Sequence, residues 1–193
     1  EDSPGGGVCQ TASTIYNAVL LSGLEIVEST RHSYPPSYVT KGLDATVYMS
    51  APYIDLKFKN TKDYPVYICS YLDNNKIHVD IYGEPLEGNR WIKIRTEEYE
   101  TVKAPEPEYI DDIEGIYAVY EGEEYQKVSS KDGYKVKVYR EVFQEDELLH
   151  SEMLYDHFYR PIQGVVYKGI KGGRFIPKVN LDEQEQKVSY ILD

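Results

Sequence analysis

One stretch of this 193-residue chain repeats its apolar residues at helical spacing, and it lies close to the first residue. From Cys9 to Leu21, the residues Ala12, Ile15, Tyr16, Val19 and Leu20 fall three and four apart and form one apolar face. This predicts a short helix of about three to four turns. Gly23, just past the last periodic residue, is a natural stop. The remainder reads as strands and turns. LEIVE is a short strand, RHSYPPSYVTKG is a proline-bearing loop, and strands follow at roughly 45–50 and 54–59. Residues 65–72 and 76–82 make a hairpin around Asp73-Asn74-Asn75, with Ile77, Val79 and Ile81 alternating against His78, Asp80 and Tyr82. Another short strand covers 91–95.

The 20 tyrosines, against 4 Phe and 1 Trp, support this leaning towards β structure. A tyrosine ring packs on a half-buried strand while its hydroxyl reaches water. The segment EEYETVKAPEPEYIDD, residues 97–112, is acidic, holds two prolines and lacks a period, so it reads as a linker. Beyond it, strand patterns recur at 115–120, 134–143, 148–155 and 164–167, and a last strand-like piece lies at 187–192. The expected class is therefore α+β. The N-terminal helix packs on a mainly antiparallel sheet in residues 1–96. After the linker comes a smaller, elongated all-β domain at 113–169, then a polar tail at 170–193.

Charge limits the function. The net charge is −12, and most of the acid excess falls after residue 95. Nucleic acid is excluded as a partner, because phosphate binding needs a basic footprint. No run of about 18 apolar residues exists to span a membrane. With Glu at position 1 and no leader sequence, a membrane attachment is expected only through a segment upstream of this chain.

Two cysteines are present, Cys9 and Cys69. Three glycines precede Cys9 in GGGVCQ, and a helix follows it. Glycine admits positive φ, and a helix N-terminus offers unpaired N–H donors and partial positive charge. That combination stabilises a thiolate and an oxyanion formed beside it. The alternative is that Cys9 is a small apolar residue at a helix start. A thiol nucleophile also needs a base. His32, in the loop after LEIVE, can return to the helix start. Asp44, in GLDATV, is the first choice to orient His32, and Asp55 the second. Gly7, Val8 and Gln10 would supply oxyanion donors. Ser13 and Thr14, one turn into the helix, would line the pocket or serve helix packing. Cys69, flanked by Tyr67 and Tyr71, reads as a packing residue, and His78 faces the wet side of the hairpin. His150 and His157 match no metal-ligand spacing, so neither metal nor cofactor is expected.

The stretch from Gly5 to about Ile68 resembles the VanW domain. The residues that carry the likeness are Gly5-Gly6-Gly7-Val8-Cys9-Gln10, Ser13-Thr14, Tyr16-Asn17, Gly23-Leu24-Glu25, His32-Ser33, Tyr38-Val39, Gly42, Asp44-Ala45-Thr46-Val47, Asp55-Leu56, Phe58 and Asn60. The family pattern also has a block before the glycines that is absent here. The stretch YKVKVYREVF…LYDHFYRPIQGVVYKG resembles a G-five-type extracellular domain. These resemblances imply an L,D-transpeptidase that uses the motif cysteine to make 3–3 cross-links in peptidoglycan. Stem peptides and glycan would be its partners, on the extracellular face of a Gram-positive cell. The histidines of the familiar L,D-transpeptidase fold precede their cysteine, whereas His32 follows Cys9, so that geometry does not transfer. The rival expectations are a non-catalytic wall-binding protein and a cysteine hydrolase of stem peptides.

Overall fold

The computed structural model describes residues 6–172. The chain forms two compact units, Glu1–Thr101 with Tyr134–Arg160, and Val102–Gly133 with Pro161–Asp193. The units are thus interleaved along the sequence. A hairpin from the second half of the chain folds into the first unit.

In the first unit, helix α1 spans Val8–Leu21 and buries Ala12, Ser13, Tyr16, Val19 and Leu20. Strand β1 (Glu25–Glu28) pairs antiparallel with β2 (Lys57–Lys59). Strands β3 (Tyr67–Asp73) and β4 (Lys76–Tyr82) form the expected hairpin. Its turn residues Asn74 and Asn75 take φ of 48° and 60°. Asparagine tolerates this left-handed region, and two such residues match the twist of paired strands. Strands β5 (Arg90–Val102), β8 (Gly133–Gln144) and β9 (Glu147–Tyr159) make a three-stranded sheet in the order β5-β8-β9. Tyr16, Leu20 and Ala45 form the centre of the core, and Ile26, Leu43, Leu56, Ile94, Leu154 and Tyr155 pack around them. Each fully buried large apolar side chain here contributes about 1.5–3 kcal/mol relative to exposure.

In the second unit, β6 (Glu108–Asp111) lies parallel to β10 (Val165–Lys168), which pairs antiparallel with β7 (Glu124–Val128). The α+β class therefore holds, with strand pairs predominantly antiparallel.

Four expectations need correction. Residues 97–102 are not linker but the second half of β5. Their acids are strand substituents with partners: Glu98 bonds Lys41, Glu100 bonds Lys135, and the Tyr99 hydroxyl donates to Asp156. The segment expected as a strand at 115–120 instead wraps a carboxylate. Asp112 accepts the N–H groups of Gly115, Tyr117 and Ala118, which hold its carboxyl below the usual range. Residues 45–50 do not form a strand, for a reason given below. Cys69 is exposed, like the rest of β3, and is not a packing residue. The strand-like piece expected at 187–192 lies outside the described residues.

Candidate functional site

The site is built around the first two turns of α1. Gly7 precedes the helix with φ of 86°, a conformation that admits glycine without strain. No side chain caps this end, and the first turn holds no acid. The first helical hydrogen bond runs from Thr11 N to Gly7 O at 2.9 Å. The N–H groups of Val8, Cys9 and Gln10 therefore lack helical acceptors, and no acid of the first turn offsets the partial positive charge of this end. Cys9 is half-buried in this turn.

Three side chains along one face of α1 hold an extended segment against it. The Cys9 thiol donates to Val47 O at 3.4 Å. The Ser13 hydroxyl donates to Ala45 O at 3.2 Å and accepts from Ala45 N at 2.9 Å. Asn17 donates to Leu43 O at 2.8 Å. These helix residues are four apart, and their partners are two apart in the opposite direction. Four helical residues rise about 6 Å. Two extended residues rise about 6.6 Å. The near match lets a helix face replace a neighbouring strand. Residues 43–47 accordingly belong to no sheet.

The same segment carries Asp44. Its side chain is fully buried, while that of His32 is 23% exposed. Asp44 Oδ2 accepts from the His32 backbone N–H at 2.6 Å and lies 2.7 Å from His32 Nδ1. Asp44 Oδ1 accepts from the Tyr159 hydroxyl at 2.5 Å, and that hydroxyl accepts from Gly42 N at 2.9 Å. His32 thus turns Nδ1 towards Asp44, and among the described residues Nε2 bonds to nothing. Burial pushes the Tyr159 phenol well above its usual range, as does its bond to Asp44, so Tyr159 stays a donor.

Tyr38 links the two halves. Its ring lies edge-on to His32, with centroids 6.3 Å apart. Burial pushes its phenol up, the nearby Ser13 hydroxyl opposes the rise, and Cys9 and Asp44 add to it. Beside α1 runs a cleft of about 490 Å³, with Gln10, Thr14 and Tyr38 in its walls.

The structure thus brings His32 and Asp44 into contact and ties both to the segment that receives the Cys9 thiol. Gly7, Val8 and Gln10 lie at the helix end as expected. Thr14 borders the cleft, with its hydroxyl turned back to Gln10 O. Ser13 is 1% exposed, and its hydroxyl is spent on Cys9 O and Ala45, which makes it a brace under the cleft. Asp55 is exposed and bonds the N–H of Leu56. Sequence reasoning missed Tyr159, 115 positions from Asp44, and gave Tyr38 no role. His157 is half-buried and stacks on Tyr155, and among the described residues no three potential ligands converge on a metal position.

The family described as VanW like protein matches residues 1–82, the stretch that carries Cys9, His32 and Asp44. Among curated proteins, the chain is similar to the uncharacterized protein YoaR of Bacillus subtilis (strain 168). The two are 36% identical over 90 residues, which is 47% of this chain and 29% of YoaR. The chain thus spans well under half the length of that relative. Two solved structures are also similar. The G5 domain of IgA1 protease is 23% identical, with a TM-score of 0.29, covering 42% of this chain and 93% of that domain. HP0197-G5 is 22% identical, with a TM-score of 0.22, covering 42% of this chain and 97% of the other.

Proposed function

We propose that this protein is a cysteine-dependent acyltransferase acting on peptidoglycan stem peptides outside the cell, an L,D-transpeptidase that makes 3–3 cross-links. The observation that carries this reading is the His32–Asp44 pair at 2.7 Å, whose Asp44 lies on the segment that receives the Cys9 thiol. His32 Nε2 takes the thiol proton, and Cys9 Sγ attacks the carbonyl of the third stem residue. The oxyanion rests on the first-turn N–H groups of Val8–Gln10; one well-aligned donor of this kind is worth about 10²–10³ in rate. The bond to the fourth residue breaks, and its amine leaves with the proton held by His32. An acceptor amine then gives a proton to His32 and attacks the thioester, which restores Cys9. Asp44 orients His32 throughout and stabilises its charged form. Hydrolysis would differ in the last step alone, with water in place of the amine.

The test uses muropeptides carrying tetrapeptide stems. Incubation with the wild-type chain should yield cross-linked dimers by mass spectrometry, and Cys9→Ala should yield none. Dimers from Cys9→Ala would remove the nucleophile. Cleaved monomers without dimers would make the protein a hydrolase.

A further inference from the structure

The cleft beside α1 has one charged group. Gln10, Thr14 and Asn17 supply polar groups from the helix, Tyr38 stands at the Cys9 end, and Lys76 and Ile77 come from the start of β4. Its volume of about 490 Å³ is ordinary for a site that takes a small ligand or a few residues of peptide, roughly 300–1,000 Å³. No acid lines it, although the chain carries 33 acids against 21 bases. Lys76 is exposed and, among the described residues, makes no ion pair or side-chain hydrogen bond. The net charge of −12 repels any anionic ligand at long range. A cleft that takes such a ligand needs a local cation and no acids, and this one has that composition.

We propose that Lys76 forms a carboxylate subsite, which binds the free C-terminal carboxylate of the peptide whose carbonyl reaches Cys9. The inference rests on the acyl-transfer reading and names its donor: a peptide ending one residue beyond the attacked carbonyl, with that end uncapped. The ammonium and the carboxylate meet in partly open solvent, so the pair contributes as an exposed ion pair and weakens with salt.

The full chain carrying Cys9→Ala would be titrated by calorimetry with L-Ala-γ-D-Glu-meso-diaminopimelyl-D-Ala and with its C-terminal amide. The acid should bind about fivefold more tightly than the amide at low salt, the scale of an exposed ion pair. Adding Lys76→Gln should erase this difference, and Lys76→Arg should keep it. Thermal unfolding of the Lys76→Gln protein checks that the fold is intact. Equal binding of acid and amide, no binding of either, or discrimination that survives Lys76→Gln would overturn the subsite. Mass spectrometry of the wild-type chain separates this from the parent reading. An acyl-Cys9 adduct formed equally from acid and amide removes the subsite and leaves the chemistry. Discrimination in binding without any adduct leaves the subsite and removes the chemistry.

Discussion

Asp44 holds His32 twice through one oxygen: Oδ2 accepts the His32 backbone N–H at 2.6 Å and faces Nδ1 at 2.7 Å. The first bond fixes where the loop passes, and the second fixes the ring and its tautomer. Replacing Asp44 by Asn keeps the shape but turns an amide N–H₂ or a weaker acceptor towards three donors. Acyl transfer should fall by at least about 10²-fold, the lower end of what a positioned base contributes. Stability should fall by about 1–3 kcal/mol for the donors left unsatisfied. Steady-state rates and urea unfolding of Asp44→Asn check the two effects separately.

Tyr159 supports the pair from the other side, through Asp44 Oδ1 and Gly42 N. In Tyr159→Phe, a buried N–H loses its acceptor and a buried carboxylate loses a donor. A loss of about 1–3 kcal/mol is expected in denaturant unfolding. The rate should drop less than in Asp44→Asn, because both bonds from Oδ2 to His32 remain. A rate equal to that of Asp44→Asn would mean that Tyr159 acts in the chemistry itself.

Ser13→Ala tests the brace beneath Cys9. The hydroxyl serves Cys9 O, Ala45 O and Ala45 N. Its loss strands the buried N–H of Ala45 and loosens the segment that carries Asp44. Unfolding should cost about 1–3 kcal/mol less. Hydrogen exchange at Ala45 should quicken, and unchanged exchange there would show that the helix face does not hold the segment.

His157 predicts how stability depends on pH. Burial lowers its pKa in the folded protein, and the nearby Arg31 adds to this. Unfolded, it titrates near the ordinary value of about 6.5. Above that pH both states are neutral, and the fold has its full stability. As pH falls below about 6.5, the unfolded chain takes up the proton first, so stability declines until the folded group also titrates. The melting temperature should therefore drop between about pH 7 and 5. His157→Gln should flatten that part of the curve, and an unchanged slope would assign the effect to other groups.

The helix and the β3–β4 hairpin were legible because their signals are local: an apolar period in α1, and two asparagines between alternating arms. His32 and Asp44 were legible as a pair from residue type and likeness. Their geometry was not, since it depends on Ser13 and Asn17 holding residues 43–47 from a helix face. No propensity encodes a strand whose neighbour is a helix, so 45–50 read as sheet. The acidic run at 97–102 read as linker because charge usually marks solvent. Here Lys41 and Lys135 make it one face of β5. Tyr159 looked like any of the 20 tyrosines, and only the return of β9 reveals it as a support for Asp44.

If Cys9 is the nucleophile and His32 its base, the acyl-enzyme is trapped by incubating the chain with a tetrapeptide stem, quenching in acid, and mapping adducts by peptide mass spectrometry. A tripeptidyl thioester is expected on the Cys9 peptide, with none on the exposed Cys69. None at all is expected in Cys9→Ala, and formation at least about 10²-fold slower in His32→Ala. An adduct on Cys69 alone, or one that forms on Cys9 equally fast without His32, would contradict these roles.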